Sequence, residues 1–322
     1  MGQRGMTRDS AGWHGTARND AGQRGMTGRA ERQEIQMIIN FSDDLDLFKI
    51  AESGQCFRWI RVKDENPAAY RIIAGGRVLF LDFDGGTLDL SCDEGSYEAF
   101  WRDYLDFKTN YKGIRELIKR EKDEYLFNAA ESGKGIRILK QDPFETLISF
   151  IISQRKNIPA IRASIEKLCA LAGNKIELSE GEREWLNRKE IGMEAAERLY
   201  SFPGPKEIAC LSQDELKSCG TGYRAPYLSS AAKQVSKGIL DLSALERLND
   251  EELLNELMKL YGVGVKVASC ACLFGFHRLD FFPVDVWIGR ALSEHYENGF
   301  PFSDYAPYNG VMQQYLFFGA RS

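Results

Sequence analysis

Long apolar runs are missing from this 322-residue chain. No stretch approaches the roughly 18 uninterrupted apolar residues of a membrane-spanning helix, so a membrane protein is not expected. The polar start, rich in glycine and arginine, does not fit a secretory signal. The 7 cysteines are unevenly spaced, which argues against a disulfide framework and for a reducing cytoplasm.

Positive charge is not in excess either. The formal net charge is −5 at pH 7, whereas proteins that grip phosphate backbones usually present a basic surface. Net charge constrains non-specific association more than it constrains one site. The composition therefore argues against tight non-specific nucleic-acid binding but is compatible with a local phosphate site.

Residues 1–36 differ in composition from the rest. Residues 2–7 recur as residues 22–27, and apolar residues are too few to offset chain entropy. We expect either a disordered tail or a mis-assigned start with Met37 as the true initiator. A basic arm that tethers nucleic acid is the alternative.

Period-two alternation of apolar and polar residues dominates the next part of the chain. Glycine pairs at 75–76 and 85–86 separate the alternating segments, as expected for an antiparallel meander. An aromatic-rich helix is predicted at residues 97–107. The predicted strands are residues 55–62, 69–73, 78–83 and 87–90.

From residue 111 onward the apolar periodicity becomes helical. Asp142 and Pro143 suit the N-cap and first turn of a central, buried helix. Further helices are predicted at residues 158–171, 194–201, 213–219, 225–237, 250–259, 265–276 and 285–296, with an apolar segment at 308–318. The predicted fold class is α+β, with a small N-terminal antiparallel β-sheet domain (residues 37–130) followed by an all-helical domain (residues 131–322).

A glycine hairpin interrupts the helical pattern. Gly262, Val263 and Gly264 predict a tight turn, which makes residues 250–276 a helix-hairpin-helix unit. Glycines let a phosphate approach backbone amides at a helix N-terminus, and such a hairpin grips DNA without reading its sequence. A bare Gly-x-Gly pattern more often marks an ordinary turn, but the flanking residues favour the phosphate site.

Lys266 lies in the first turn after the hairpin, where the helix dipole disfavours a positive charge. An uncharged amine is what a Schiff-base lysine requires. Asp285 suits an N-cap, but at that position it can also face Lys266 across the hairpin. There it would stabilise a developing positive charge and help to deprotonate the lysine. Together the two residues predict an amine nucleophile with a supporting carboxylate.

Several motifs, in this order along the chain, resemble those of the 8-oxoguanine DNA glycosylase/AP lyase family, bacterial type, within the helix-hairpin-helix DNA glycosylase superfamily. They are residues 53–59, 139–145, 222–227, 262–266 and 283–286. The resemblance implies a helical glycosylase domain. It also implies a bifunctional base-excision repair enzyme that removes 8-oxoguanine from duplex DNA and cleaves the abasic site by β-elimination.

The resemblance further implies catalytic and base-binding roles. Lys266 matches the nucleophile that attacks the sugar C1′, and Asp285 matches the catalytic carboxylate. Gly54 matches the glycine whose carbonyl senses the N7 proton of 8-oxoguanine. The residues expected to bind the extruded base are Gly54, Cys270, Pro283, Gln313 and Phe317.

Within that base-binding set, Cys270 and Phe317 match the two faces that sandwich the base, and Gln313 matches the amide at its pairing edge. Judged from the residues alone, core packing for Cys270 and Phe317 and a solvated helix face for Gln313 are the alternatives.

The same resemblance implies DNA contacts. Tyr223 matches the residue that wedges beside the opened base pair. Arg155 aligns with the filler of the vacated position, although Lys156 and Asn157 remain alternatives. Ala160 replaces an arginine that reads the opposite cytosine in eukaryotic relatives, which leaves the opposite-base preference open. The expected DNA-binding residues are Arg155, Asn157, Tyr223, Gly262, Val263, Gly264 and Trp287.

The expected partner is double-stranded DNA containing 8-oxoguanine, bound by a monomer in the cytoplasm, at the nucleoid. No metal site is expected, because the cysteines are scattered and histidine is limited to 3 residues. The resemblance allows a monovalent cation at the hairpin. A glycosylase for alkylated bases and a non-catalytic helix-hairpin-helix DNA-binding protein are the alternatives. The presence of Lys266 argues against the first, and Lys266 with Asp285 argues against the second.

Overall fold

The computed structural model describes residues 37–321, so the expectations for residues 1–36 lie outside the described part of the chain. In its N-terminal part, 5 antiparallel strands form one sheet in the order β1-β5-β4-β3-β2. The strands are β1 (Met37–Asn40), β2 (Trp59–Lys63), β3 (Ala69–Ala74), β4 (Arg77–Asp84) and β5 (Thr87–Leu90).

The meander predicted from the sequence forms the larger part of this sheet. Strands β2 to β5 follow one another as antiparallel neighbours, with Tyr70 opposite Leu81 and Leu81 opposite Leu90. The turn glycines Gly75 and Gly76 have φ of +55° and +72°, a conformation that favours glycine. Strand β1 was not predicted, and it pairs with β5 at the edge of the sheet.

Gln55 explains why the predicted strand 55–62 begins only at Trp59. Its buried side chain donates through Nε2 to the carbonyl of Arg137 at 2.8 Å, and its Oε1 accepts from the amide of Leu139 at 2.8 Å. The carbonyl of Gln55 accepts from Gln141 Nε2 at 2.8 Å. Residue 55 therefore bonds to the helical part of the chain rather than to a neighbouring strand.

Helices dominate the chain after the sheet. Among the described residues, the two longest helices are Ile158–Ala172, with 15 residues, and Ala225–Ser236, with 12 residues. The helices are α1 (Leu47–Glu52), α2 (Glu94–Ser96), α3 (Arg102–Tyr104), α4 (Tyr111–Arg115), α5 (Glu124–Ser132), α6 (Pro143–Ser153), α7 (Ile158–Ala172), α8 (Glu180–Arg188), α9 (Pro205–Cys210), α10 (Gln213–Ser218), α11 (Ala225–Ser236), α12 (Leu242–Leu245), α13 (Asp250–Met258), α14 (Val265–Cys270), α15 (Val286–His295), α16 (Phe302–Tyr305) and α17 (Asn309–Gly319). Two π-helical turns (Tyr97–Trp101 and Ala271–Gly275) and two 3₁₀ turns (Met193–Ala196 and Gly222–Arg224) complete the helical structure.

The predicted α+β class is confirmed, and most predicted helices are present. The prediction of a helix at residues 194–201 is wrong, because only a short 3₁₀ turn forms there. The amide of Ile176 donates to the carbonyl of Leu199 at 2.8 Å, and the amide of Ser201 donates to the carbonyl of Asn174 at 2.8 Å. These bonds hold the segment extended. The predicted domain boundary at residues 130/131 stays a prediction.

Helix α6 lies at the centre of the helical core. The Asp142 side chain caps it by accepting from the amide of Glu145 at 2.7 Å, as the sequence predicted. Its side chains Leu147, Ile148 and Ile151 are fully buried. Among the helices of residues 37–321, none combines the length and apolar character that spanning a membrane requires.

A buried arginine joins the sheet to the helices. The Arg137 side chain is 0% exposed and donates to Asp43 Oδ2 at 2.7 Å. It also donates to the carbonyls of Asp44, Asp106 and Thr109. Burial alone would raise the pKa of Asp43, but the bonds from Arg137 and from three backbone amides outweigh it and lower that pKa.

We predict that Arg137→Leu lowers the free energy of unfolding by about 3 kcal/mol, because Asp43 is left without its partner. The exposed Arg120, which pairs with Glu124 at the start of α5, is the control. Arg120→Leu should cost less than about 0.5 kcal/mol. Urea unfolding at pH 7 measures both losses, and equal losses would contradict the assignment. Because the folded pKa of Asp43 is lowered, the deficit should shrink as the pH falls below the ordinary aspartate range.

Candidate active site

Two adjoining cavities lie where the loop after α1 meets α6, α14 and α17. The inner cavity has a volume of 40 Å³ and the outer one a volume of 360 Å³. Both expected catalytic residues and all expected base-binding residues line the inner cavity: Lys266, Asp285, Gly54, Cys270, Pro283, Gln313 and Phe317. Gly54 and Phe317, from opposite ends of the described chain, thus line one cavity.

The loop at Gly54 forms one side of both cavities. Gly54 has φ +73°, and a Cβ atom there would lie 3.1 Å from Cε1 of Phe317, so a larger residue would press on the ring. The guanidinium of Arg321 lies 5.0 Å from the centre of that ring and donates to the carbonyl of Glu52 at 3.1 Å. Arg321 lines the outer cavity, a position that the sequence did not indicate.

Gln313 and Cys270 form the buried end of the inner cavity. The Gln313 residue is 4% exposed, so the alternative of a solvated helix face is wrong. Its Oε1 accepts from Gln314 Nε2 at 3.0 Å. Burial raises the pKa of the Cys270 thiol to about 11, although the positive charge of Lys266 opposes the shift. The thiol is therefore protonated at neutral pH and is not a competing nucleophile.

The hairpin sets the position of Lys266. Gly262 has φ +82°, and Gly264 is the N-cap of α14, which makes Lys266 the second residue of that helix. The amine Nζ lies 5.5 Å from the centre of the Phe150 ring, close enough for a cation–π contact. Within residues 37–321 this amine has no hydrogen bond or salt bridge. Phe150 was expected to be a core residue only, because the apolar residues of α6 cover most of its faces.

A second lysine lines the outer cavity and is the rival nucleophile. Burial and the charges of Arg224 and Lys167 lower the pKa of Lys156. However, its Nζ donates to Ser164 Oγ at 2.6 Å and to the carbonyl of Gly220 at 2.6 Å. Lys156 is therefore committed to structural bonds, whereas the amine of Lys266 is available.

Asp285 combines the two roles that the sequence suggested. It is the N-cap of α15, and its Oδ1 accepts from the amide of Ile288 at 2.9 Å. The second oxygen, Oδ2, has no hydrogen-bond donor in the described part of the chain. Because Asp285 also lines both cavities, one carboxylate caps a helix and faces the site of Lys266.

The expected DNA-binding residues lie outside the inner cavity. Asn157 and Trp287 line the outer cavity, and Asn157 also caps α7 by accepting from the amide of Ala160 at 2.9 Å. Arg155 is exposed and has φ +52°, which is uncommon for arginine. Tyr223 is 52% exposed. The hairpin Gly262, Val263 and Gly264 lies outside both cavities.

Comparisons with known proteins agree along the described chain. Residues 37–147 match the family "8-oxoguanine DNA glycosylase, N-terminal domain", and residues 148–299 match the "HhH-GPD superfamily base excision DNA repair protein" family. A probable N-glycosylase/DNA lyase of Methanothermobacter thermautotrophicus is 30% identical over 260 residues, which cover 66% of this chain and 78% of that protein.

Two solved structures are similar over nearly their whole length. One is MBOgg1 in complex with a low-affinity DNA ligand, with 34% identity, a TM-score of 0.79, and coverage of 90% of this chain and 97% of that one. The other is the Clostridium acetobutylicum 8-oxoguanine glycosylase/lyase in complex with double-stranded DNA containing cytosine opposite 8-oxoG. Its identity is 30%, its TM-score is 0.74, and the match covers 89% of this chain and 98% of that one.

The position of Asp285 as the N-cap of α15 leads to a prediction about the stability of the fold. Asp285→Ala should lower the free energy of unfolding by about 1 kcal/mol, because the amide of Ile288 loses its cap. Asp285→Asn should change it by less than about 0.3 kcal/mol, because asparagine caps as well as aspartate does. Denaturant unfolding of both variants measures the difference, and an equal loss would refute the capping role. The asparagine variant then removes the charge while it keeps the helix.

Proposed function

Because this chain belongs to the 8-oxoguanine DNA glycosylase family of HhH-GPD base excision repair proteins, we propose that it removes 8-oxoguanine from duplex DNA through the amine of Lys266. It is a DNA N-glycosylase/DNA lyase, and DNA is its partner. The observation that carries the proposal is the free amine of Lys266 in a cavity shared with Asp285, Gln313 and Phe317.

The proposed reaction begins when the uncharged Lys266 amine attacks the sugar C1′. The N-glycosidic bond breaks, and the base leaves with the bonding electrons and takes up a proton. The Asp285 carboxylate stabilises the positive charge on the sugar and accepts the proton that the lysine loses. The sugar ring opens to a Schiff base as O4′ takes that proton from Asp285. Water removes a proton from C2′, the electrons of that C–H bond expel the 3′ phosphate, and hydrolysis of the imine restores the amine.

The base-binding residues support recognition of an extruded purine. In the proposal, the base stacks between Cys270 and Phe317, Gln313 bonds its pairing edge and the Gly54 carbonyl accepts from N7. The inner cavity of 40 Å³ adjoins the outer cavity of 360 Å³, and Gly54, Lys266, Asp285 and Phe317 line both.

Hydrogen bonding favours Arg155 as the side chain that fills the vacated position. Lys156 is held by Ser164 and Gly220, and the Asn157 side chain is used as a helix cap. Arg155 is exposed, and its side chain has no hydrogen bond or ion pair in residues 37–321. We propose that it enters the duplex when the damaged base leaves.

The remaining expectations stay proposals. We propose that the protein acts as a monomer and that it is of the bacterial type. We also propose a monovalent cation at the hairpin, which would be held by backbone carbonyls and would neutralise part of the charge of a DNA phosphate. Within residues 37–321, no group of three His, Cys, Asp or Glu side chains could hold a metal ion.

Borohydride trapping tests the nucleophile. Wild type incubated with a duplex containing 8-oxoguanine should form a covalent adduct when the imine is reduced, and Lys266→Gln should form none. Lys156→Gln is the matched control and should still be trapped. An adduct with Lys266→Gln that disappears in Lys156→Gln would reassign the nucleophile.

Asp285→Asn should slow base release by about 100-fold while duplex binding changes little.

Single-turnover excision tests Arg155. Arg155→Ala should excise 8-oxoguanine from duplex DNA about tenfold more slowly, because nothing fills the vacated position. Arg198 is the control, since it is also an exposed arginine with positive φ, at +55°. Arg198→Ala should match wild type, and equal rates for both variants would refute the filler role. Running the assay opposite each of the four bases also gives the opposite-base preference.

A further inference from the structure

Three surface segments from distant parts of the chain carry the expected DNA contacts. They are the loop 154–157 with Arg155, the turn Gly222–Arg224 with Tyr223, and the hairpin at residues 261–264. The Tyr223 and Tyr261 side chains are 52% and 60% exposed, although both rings take part in packing. Such segments usually move independently unless specific contacts join them.

Hydrogen bonds join the first segment to the other two. Gln154 donates through Nε2 to the carbonyl of Gly262 at 3.0 Å, which ties the loop to the hairpin. The carbonyl of Gln154 accepts from Nη2 of Arg224, which ties the same residue to the turn. The Arg224 side chain is buried and also donates to the carbonyl of Thr221 at 3.2 Å. One glutamine therefore contacts both partner segments.

Aromatic contacts complete the connection on the other side. The Arg224 guanidinium lies 4.3 Å from the centre of the Tyr223 ring. That ring contacts Tyr227 edge-on at 6.2 Å, and Tyr227 contacts Tyr261 edge-on at 4.7 Å. A Cβ atom on Gly262 would lie 2.3 Å from the Tyr227 ring, so only glycine allows this approach. Gln154, Gly262, Tyr227, Tyr223 and Arg224 thus form a closed contact ring.

We propose that Gln154 and Tyr227 are positioning residues, which make the hairpin, the Tyr223 turn and the Arg155 loop move as one unit on DNA. When the hairpin grips the backbone, the contact ring fixes where Tyr223 wedges and where Arg155 enters. The inference rests on the proposed function. It assigns a role to two residues that neither touch the reacting atoms nor line the cavity of Lys266.

The backbone at Arg155 agrees with this role. A non-glycine residue at positive φ is strained, and it persists only where its surroundings hold it. Gln154 on one side and Lys156 on the other are each held by hydrogen bonds to other segments. These bonds hold the backbone of the loop on both sides of Arg155, which lowers the entropy that ordering the loop on DNA would otherwise cost.

The test separates positioning from folding and from simple DNA binding. Gln154→Met removes the donor to Gly262 and keeps the size and charge of the side chain. Gln213→Met, on the exposed first turn of α10, is the matched control. Three quantities are measured for each: the dissociation constant for undamaged duplex, the single-turnover excision rate, and the rate of base opening from 2-aminopurine placed beside 8-oxoguanine.

The contact ring predicts a selective loss. Gln154→Met should bind undamaged duplex within about twofold of Gln213→Met, yet open and excise the base about tenfold more slowly, since one hydrogen bond in a coupled network is lost. Tyr227→Leu should reproduce this pattern from the opposite side of the ring. If thermal unfolding shows that one variant is not folded, the other carries the test.

A double-mutant cycle shows whether the effect passes through the contact ring. In a Tyr223→Ala background, Gln154→Met should cost less than about twofold, because the ring is already open without the Tyr223 side chain. Losses that simply multiply would overturn the inference, as would a Gln154→Met rate equal to that of Gln213→Met while wild type is active. Failure of wild type itself to excise 8-oxoguanine would refute the proposed function instead.

Discussion

The buried hydrogen bonds of Gln55 are the constraint on which the site depends. They hold the loop at Gly54 against the segment 137–141, which leads directly into α6. Because α6 also carries Phe150, these bonds fix the distance between the Gly54 loop and the ring beneath the Lys266 amine. A buried amide without a partner destabilises the folded state by about 1–3 kcal/mol, so moving the loop away from residues 137–141 is unfavourable. The N-terminal part of the chain thus contributes to a cavity whose lysine, Lys266, belongs to helix α14.

The charge balance is compatible with a DNA enzyme when local structure is considered. The net charge is −5, but the hairpin offers backbone amides at the start of α14, and Arg155 and Arg321 are exposed near the expected DNA surface and the outer cavity. Phosphate contacts of this kind position a protein without sequence information. Net charge alone is therefore a poor guide to this site.

Prediction from the sequence succeeded where a few neighbouring residues decide the structure. Glycine and capping side chains act locally, so their positions could be predicted. Examples are the turn at Gly75–Gly76, the caps Asp142 and Asp285, and the hairpin at Gly262. Prediction failed where hydrogen bonds between segments remote in the chain override the local pattern of apolar residues. The extended backbone near Leu199 is held by residues 174–176, and Gln55 leaves the strand pattern for the same kind of reason.

By itself, the sequence determined the order of elements, the place of Lys266 in the first turn after the hairpin, and the capping role of Asp285, since each follows from residues a few positions apart. Only the tertiary structure decided which of two cavity lysines keeps a free amine, that Phe150 and Arg321 help to form the cavities, and that Gln154 bonds the hairpin. These outcomes depend on which segments, remote in the chain, pack side by side. That packing is set by burial and hydrogen bonding over the whole core, which no local pattern encodes.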